Sequence, residues 1–590
     1  ALVRICLALL CTATGTWALS PVSNNDRLTE KEITLEPRPA YTNAAAGDGI
    51  PPITPPTRIS GYFKLAHTFD ANMFYFMFAA RRNPTHAPLV IWMTGGPGCS
   101  SELAVLYENG PYSLKDGGLV ETEFGWDATH NMIFVDQPIG TGFSYSTDDR
   151  DTVHNEHGVA DDMLDFIYAL LAAHPELADL PLYITGESYA GHYVPAVSHR
   201  VWLANKNQEG PPINFKGLAV GNGLTEPSIQ FAAYGDFAVQ NNLINSVTHG
   251  WMKFTYPVCK LANTWCESTG WDFICIIGLQ ICMLTQFQPV LASSPNINVY
   301  DITKKCTGTL CYDFTAADAF LNSPATRKAL GVPDIVQDWT ACNMDVYQNM
   351  AGDWLSRWDK AMPEMMADGI RIMIYAGELD LICNYLGNRR WVDALEWEGA
   401  DDWAAAEDAD WVVAGRPAGR VRSAGTLSFV QVFQAGHMVP MDQPMNALAM
   451  LTTWTRNVSM AEALAPDSAH ELATLFKGMA AADPAKGLKL NNPADPSPAA
   501  RAVAAAAAAA SAESFKRSQM PGQGMGLEKG RAQVHVEEVV EGQASREAIK
   551  KMSFTQLVKE LGNAIGQAKV KVDAAARRAL GVNQPARSEY

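Results

Sequence analysis

Three residues that together can perform nucleophilic catalysis lie far apart in the chain, each just after an apolar run. They are Ser188, Asp380 and His437. A serine hydroxyl becomes a nucleophile when a histidine accepts its proton and a carboxylate holds that imidazole in the correct tautomer. The three residues are therefore a candidate catalytic triad. The preceding runs are Pro181–Thr185, Ile370–Tyr375 and Leu427–Phe433.

The residues around Ser188 predict a sharp turn from a strand into a helix. Small residues flank the serine in Gly186-Glu187-Ser188-Tyr189-Ala190, which allows a tight turn with the hydroxyl exposed. Because serines between small residues also occur in ordinary loops, this pattern alone does not establish catalysis. The order serine, aspartate, histidine is more specific, since it is the order of α/β-hydrolases. His192 is nearer to Ser188 in the sequence, and we interpret it as structural.

A glycine-rich loop after another apolar run has the composition of an oxyanion hole. The run Leu89–Met93 predicts a buried strand, which ends at Thr94-Gly95-Gly96-Pro97-Gly98-Cys99. Glycines let backbone N–H groups point at a developing negative charge, and one such donor stabilises the transition state by about 3 kcal/mol. A tight turn without a catalytic role is the alternative interpretation.

The elements that must position these residues alternate between strands and helices. The segment Gly61–Phe78 predicts a hairpin or sheet edge, Asn131–Asp136 and Phe215–Val220 predict buried strands, and Asp161–His174 predicts an amphipathic helix. This alternation predicts an α/β fold with a mainly parallel central sheet and helices on both faces. Ligands in such folds bind beyond the carboxyl ends of the strands, where the glycine-rich loops lie.

Composition sets broader limits on function. The chain has 590 residues, of which 47% are hydrophobic and 18% charged, so it can bury a large core. Its formal net charge of −18 argues against nucleic acid as a partner. The histidines show no spacing typical of metal ligands, so we expect neither a metal nor another cofactor.

Both ends of the chain differ in composition from its centre. Residues 1–18 hold Arg4, an apolar core from Ile5 to Cys11 and then small residues, which resembles a secretory signal peptide; a buried N-terminal segment is the alternative. We interpret residues 19–56 as a propeptide or flexible lead-in. No later apolar run is judged long enough to span a bilayer. Residues 461–590 are predicted to form a low-complexity, flexible tail.

Three long motifs resemble the signatures of the serine carboxypeptidases, most closely the plant type III group. The resemblance covers roughly Thr57 to Arg456. The motifs are Trp92-Met93-Thr94-Gly95-Gly96-Pro97-Gly98-Cys99-Ser100-Ser101, Gly186-Glu187-Ser188-Tyr189-Ala190-Gly191 and Gly436-His437-Met438-Val439-Pro440.

This resemblance implies an α/β-hydrolase fold whose core, residues 57–233 and 359–460, is interrupted by a disulfide-stapled cap, residues 234–358. It also implies hydrolysis of the C-terminal peptide bond of peptides and proteins through an acyl-enzyme. A secretory address follows, either a vacuolar, lysosome-like compartment or the exterior. An acyltransferase, or a secreted binding or stabilising protein, is the alternative on the same scaffold. Monomer and homodimer both stay open.

The resemblance also assigns roles outside the triad. The N–H groups of Gly96 and Tyr189 are expected to form the oxyanion hole. Many family members have Asn at the position of Thr94. The threonine of this chain offers a hydroxyl in place of the amide, and its reach is shorter. The residues expected to hold the substrate carboxylate are Trp92, Thr94, Gly95, Glu108 and Glu187.

Elementary electrostatics supports part of this carboxylate site. A carboxylate at Glu187, directly before the nucleophile, repels a developing oxyanion unless it is protonated or shares a proton. Two glutamates in a poorly hydrated pocket titrate as a coupled pair with one pKa raised. Acid is therefore predicted to favour recognition. The alternative for Glu187 is an acid stabilised by the N-terminus of the following helix.

The cysteines fit an oxidising compartment, although spacing alone cannot choose the pairs. Cys6 and Cys11 fall in the leader. The family pattern leaves Cys383 as a free thiol near the substrate pocket, so mercurial sensitivity is predicted; an inert buried thiol is the alternative. The apolar segment Phe273–Leu284 is interpreted as cap core rather than cleft lining, and Asn457 begins a glycosylation sequon. The implied disulfides are Cys99–Cys342, Cys259–Cys282, Cys266–Cys275 and Cys306–Cys311.

Overall fold

The computed structural model describes residues 28–32, 57–115, 118–308, 310–463, 472 and 475–478. The chain divides into two units, Ala1–Ala482 and Asp483–Tyr590, and all described residues belong to the first. The predicted leader with Cys6 and Cys11, most of the lead-in and nearly all of the predicted tail lie outside the described residues.

Thirteen strands form in the described part of the chain. Eleven of them build one sheet, and β5 and β6 form a separate hairpin. The strands are β1 Leu28–Glu32, β2 Arg58–Lys64, β3 Asn72–Phe78, β4 Leu89–Met93, β5 Tyr112–Lys115, β6 Gly118–Glu121, β7 Asn131–Val135, β8 Leu182–Glu187, β9 Phe215–Gly221, β10 Arg371–Gly377, β11 Ala409–Val413, β12 Arg416–Ala424 and β13 Leu427–Val432.

The large sheet has the order β1-β2-β3-β7-β4-β8-β9-β10-β13-β12-β11. The central strands from β7 to β13 pair in parallel, and the strands at both margins pair antiparallel. Parallel strands point their carboxyl ends to one edge, so the loops after β4, β7, β8, β9, β10 and β13 meet there. The predicted α/β fold with a mainly parallel centre is confirmed.

The α-helices in the described residues flank this sheet or build the cap. They are α1 Glu102–Tyr107, α2 Glu156–Ala173, α3 Ala190–Asn207, α4 Pro227–Gln240, α5 Ser246–Thr269, α6 Asp272–Cys282, α7 Gln288–Ser293, α8 Thr315–Leu321, α9 Pro324–Leu330, α10 Met344–Asn349, α11 Met362–Ala367, α12 Tyr385–Asp393, α13 Ala400–Ala405, α14 Val439–Asp442, α15 Pro444–Thr455 and α16 Met460–Ala463.

The central strands are buried on both faces, which explains their continuous apolar runs. In β8, Leu182 and Ile184 belong to the core layer on one side of the sheet, and Tyr183 belongs to the layer on the other side. Packing of the second layer continues past the predicted end of the core at residue 460, since Leu472 and Phe476 are buried in it.

Helix α2 begins five residues before the predicted Asp161. The side chain of Asn155 accepts a hydrogen bond from the N–H of Gly158 at 3.2 Å, which satisfies a donor at the helix start. The apolar period used for the prediction begins only with the second turn, where α2 first packs against the sheet.

The predicted cap region contains a third core cluster built by α4 to α7. Cys259–Cys282 and Cys266–Cys275 join α5 to α6. Leu279 of α6 is buried in this cluster and Ile274 is buried as well, whereas Phe273, and Leu284 just after α6, are each 62% exposed. The helical period of the apolar residues did not by itself reveal this second apolar side, which faces solvent.

One helical segment is longer and more apolar than predicted from the sequence. Residues 272–293 meet the length and composition of a membrane span, and 39% of the most apolar part is buried within the protein. We predicted that no apolar run after the leader is long enough to span a bilayer. By length and composition alone, this prediction is wrong. The helix is held to α5 by two disulfides.

Candidate active site

Ser188 lies at the tip of the turn between β8 and α3. Its φ of 68° is in the left-handed region, which a non-glycine residue adopts only when its surroundings hold it there. The Ser188 N–H donates to the carbonyl of Gly221 at 3.0 Å, and its own carbonyl accepts from the N–H of Leu224 at 3.0 Å. These bonds to the loop after β9 hold a half-buried hydroxyl at the sheet edge.

The glycine-rich loop after β4 lies directly against this turn. A Cβ on Gly95 would come within 2.4 Å of the Tyr189 nitrogen and 2.6 Å of the Glu187 oxygen, so only glycine fits. Gly96 has a φ of 110°. Within the described part of the chain, no hydrogen bond is formed by the N–H of Gly96 or of Tyr189. Both N–H groups are therefore available to bond a ligand.

Asp380 and His437 are brought together from the loops after β10 and β13. The Nδ1 of His437 lies 2.8 Å from Oδ2 of Asp380, and the aspartate is fully buried. Asp380 also accepts hydrogen bonds from Nδ2 of Asn222 at 2.8 Å and from the N–H of Ile382 at 3.1 Å. These donors fix the orientation of the carboxylate toward the imidazole.

The other ring nitrogen of His437 makes no hydrogen bond to the described residues. Nε2 is buried and has no hydrogen-bond partner among the described residues, and no bond joins it to Ser188 Oγ. Catalytic hydrogen bonds are often long before substrate binds and shorten in the Michaelis complex. His192, interpreted as structural, is buried and bonds through Nδ1 to the carbonyl of Leu224 at 2.6 Å.

Glu108 and Glu187 form a buried carboxyl pair beside Ser188. They hydrogen-bond to each other, and Oε2 of each has no other partner among the described residues. Burial raises the pKa of Glu108 to about 7. Burial and the neighbouring Glu108 raise the pKa of Glu187 well above its usual range. At least one proton therefore stays on the pair in mildly acidic solution, which makes it a hydrogen-bond donor.

Trp92 lies near the end of β4, and Thr94 directly follows this strand. Nε1 of Trp92 donates to Thr94 Oγ1 at 3.0 Å, and the Thr94 N–H donates to Ser101 Oγ at 3.2 Å. The threonine hydroxyl thus receives one hydrogen bond and has its own proton to donate.

Two further contacts at the site were not predicted from the sequence. The carbonyl of Tyr300 accepts a hydrogen bond from the N–H of His437 at 2.7 Å, and the rings are 5.1 Å apart. Tyr300 comes from the cap region, where no motif marked it. Asn222 had a usable signal, because it follows β9 at the edge where the other site residues collect.

The cysteines pair as the family pattern implies. The structure contains Cys99–Cys342, Cys259–Cys282, Cys266–Cys275 and Cys306–Cys311. Cys383 is free and buried, and its N–H donates to Oδ2 of Asp380 at 3.2 Å. Burial raises the pKa of its thiol well above the usual range, so little thiolate forms near neutral pH. Asn457 lies exposed after α15.

Comparisons with known proteins agree with this geometry. The sequence pattern of the peptidase family described as Serine carboxypeptidase matches residues 51–457. Serine carboxypeptidase-like 49 of Arabidopsis thaliana is 48% identical over 70% of this chain and 79% of its own. Serine carboxypeptidase 3 of Hordeum vulgare is 48% identical over 67% and 77%. Among solved structures, the prohormone-processing carboxypeptidase KEX1(delta)p of Saccharomyces cerevisiae is 25% identical over 68% and 92%, with a TM-score of 0.61.

Proposed function

Because the chain belongs to the serine carboxypeptidase family, we propose that Ser188, Asp380 and His437 are the catalytic triad of this serine-type carboxypeptidase. The enzyme is a hydrolase that acts on the C-terminal peptide bond. An acyltransferase is not favoured, since the barley and rice relatives are named serine carboxypeptidase 3.

The proposed reaction has two steps. His437 Nε2 takes the proton of Ser188 Oγ as the oxygen attacks the scissile carbonyl carbon, and the N–H groups of Gly96 and Tyr189 stabilise the oxyanion. His437 then gives its proton to the departing amino group, and the peptide bond breaks to leave an acyl-enzyme. A water molecule, deprotonated by His437, attacks the ester and restores the serine hydroxyl.

The single observation that carries the exopeptidase assignment is the Glu108–Glu187 pair. It lies directly beside Ser188, is buried, and holds two oxygens that have no other partner among the residues that the structure describes. When both carboxyl groups are protonated, one proton bridges the pair and the other can be donated to the terminal carboxylate of a substrate, with Thr94 and the Gly95 N–H as further donors. Because the proton is lost as the pH rises through about 7, acid favours recognition.

The substrates we propose are the C-termini of peptides and proteins. Four disulfides support a secretory address, vacuolar, lysosome-like or extracellular, and the exposed Asn457 suits glycosylation there. A second role as a binding or stabilising partner is compatible with this assignment, since a surface separate from the catalytic loops can serve it.

The test is amino-acid release from an N-blocked dipeptide with a free C-terminus, beside its C-terminal amide, between about pH 4 and 8. Faster release from the free acid, most pronounced at low pH, is expected. Ser188→Ala serves as the control and is expected to lower kcat about 10⁶-fold. Equal turnover of acid and amide contradicts the carboxylate role of Glu108 and Glu187. Failure of an organophosphonate to label Ser188 in folded protein contradicts the catalytic role of the triad.

A further inference from the structure

A second buried carboxyl pair lies on the other side of the glycine-rich loop. Glu102 is the first residue of α1, and Asp136 directly follows β7. They are 2% and 1% exposed, and their carboxyl groups hydrogen-bond to each other. Two carboxyl groups can form such a bond only when one of them carries a proton.

Unlike the pair beside Ser188, this pair is saturated with protein donors. Asp136 accepts from the N–H of Ser101 at 3.0 Å and from the N–H of Phe143 at 2.8 Å. Glu102 is bonded to the hydroxyl of Ser100, and Nε1 of Trp339 lies 3.3 Å from its Oε2. Among the described residues, no buried oxygen of this pair is left without a partner.

The bonds of this pair end on the loop that carries Gly96. Ser101 Oγ accepts from the Thr94 N–H at 3.2 Å and donates to the carbonyl of Val135 at 2.7 Å. The Ser100 N–H donates to the carbonyl of Ala341 at 3.0 Å. Asp136 and Glu102 thus fix the segment Ser100-Ser101, to which the start of the loop is tied back through Thr94.

The surroundings of the pair disfavour two negative charges. Tyr62 of β2 lies near both carboxyl groups as a neutral hydroxyl, and Arg327 of α9, a cation near Tyr62, donates to the carbonyls of Gln337 and Val336. Glu102 also borders a cavity of about 20 Å³ whose other walls are apolar, among them Phe76 and Leu321. Burial and Asp136 raise the pKa of Glu102 well above its usual range, and burial raises that of Asp136.

We propose that Glu102 and Asp136 share one proton and act as positioning residues, which hold the loop of Gly96 in the geometry that stabilises the oxyanion. The inference rests on the proposed function for the role of Gly96. Loss of the shared proton places two carboxylates in contact, and their repulsion displaces Ser100 and Ser101. The loop then moves, and kcat falls without any change in the triad.

The variants Glu102→Ala and Glu102→Gln test this proposal. Alanine removes the bonds to Ser100 and Asp136, whereas glutamine keeps both, because its amide N–H₂ donates permanently to the Asp136 carboxylate. The substrate is an N-blocked amino-acid methyl ester. It has no free carboxylate, so Glu108 and Glu187 do not bind it, but it needs the same oxyanion hole.

We expect Glu102→Ala to lower kcat for the ester about 10- to 100-fold at a temperature where it is fully folded, with little change in KM. Glu102→Gln is expected to keep wild-type kcat at about pH 5 and to lose less of it than wild type as the pH rises. A folded Glu102→Ala enzyme with wild-type kcat overturns the positioning role.

A second readout follows the proton itself. A carboxyl that stays protonated only in the folded state makes stability fall as the pH rises above the range of unfolded glutamate, about 4.3. The free energy of unfolding is therefore expected to fall less steeply with pH in Glu102→Gln than in wild type. The difference between the two slopes corresponds to about one bound proton. Equal slopes overturn the shared proton. If wild type hydrolyses neither ester nor peptide, the proposed function fails, while this unfolding comparison still decides the proton.

Discussion

The two ends of the short helix α1 carry the same chemistry in opposite arrangements. Glu102, at its start, pairs with Asp136 after β7, and Glu108, at its C-cap, pairs with Glu187 at the end of β8. Strands β7 and β8 are the two neighbours of β4. The two pairs therefore flank the glycine-rich loop that follows β4.

The pairs differ in what surrounds their remaining oxygens. Backbone and side-chain donors saturate Glu102 and Asp136, whereas Glu108 and Glu187 each keep a buried Oε2 without a partner among the described residues. A buried polar group without a partner costs stability, so its persistence indicates a ligand that completes the missing bond; a protonated Oε2 can donate to the terminal carboxylate of a substrate. The difference teaches that burial and a raised pKa do not by themselves mark a binding group, whereas buried polar atoms without a protein partner do.

The largest difference between the pairs is expected in stability. Asp136→Ala leaves the N–H groups of Ser101 and Phe143 buried without acceptors, so we expect it to lower the free energy of unfolding by about 3 to 5 kcal/mol. Glu187→Ala, the matched truncation, removes an acid that is already under-bonded and is expected to cost about 1 kcal/mol or less. Denaturant unfolding with the disulfides intact measures both. Equal costs would remove the distinction between the pairs.

The next effect concerns substrate selection. The double variant Glu108→Ala and Glu187→Ala loses the donors to the terminal carboxylate, and we expect the preference for a free acid over its amide to fall about 10- to 100-fold. The ratio of the two kcat/KM values at about pH 5 measures it. Glu102→Ala is the comparison variant, because it is expected to slow the amide as much as the acid. If Glu102→Ala also loses the preference for the free acid over its amide, both pairs bind the substrate carboxylate.

A smaller effect separates the pairs by pH. The pKa of Glu108 is raised to about 7, so the donor form is present below that pH and is lost above it. The KM for a free acid is therefore expected to rise up to about tenfold between about pH 7 and 8. Changing both Glu108 and Glu187 to Gln supplies a permanent amide donor and is expected to flatten this rise. A KM that is independent of pH in the wild type contradicts the shared proton.

The smallest effect tests Cys383, a third buried acidic group close to the triad. The variant Cys383→Ser is expected to change kcat/KM less than about threefold, because the backbone N–H of this residue, and not its thiol, bonds to Asp380. A mercurial is expected to inhibit wild type and to leave Cys383→Ser active. If the variant is inhibited to the same extent, the reagent acts at another group.

The sequence was sufficient to predict the strands that carry the triad and the loops at their ends. The predicted run Leu89–Met93 coincides with β4, and the runs before Asp380 and His437 match β10 and β13 within two residues. Buried parallel strands are recognisable because both faces are apolar, and the site follows from the edge where they end. Once this edge is known, the role predicted for each residue there follows from the chemistry of its side chain.

Other features depend on contacts that no local pattern encodes. Glu102 resembles an ordinary acid at a helix N-terminus, and only the parallel pairing of Trp92 with Phe134 brings its loop beside Asp136. The outer side of α6 was missed for a related reason. Its buried side already satisfied the apolar pattern, so the exposed Phe273 and Leu284 were indistinguishable from core residues.

The Cys99–Cys342 disulfide has a consequence for biosynthesis. It ties the loop of Gly96 to a segment 243 residues further along the chain, and His437 comes later still. During translation, the nucleophile therefore leaves the ribosome long before the groups that activate it. A nascent or unoxidised chain contains Ser188 without a complete hydrolase, so the protein cannot digest its neighbours before its own assembly is finished.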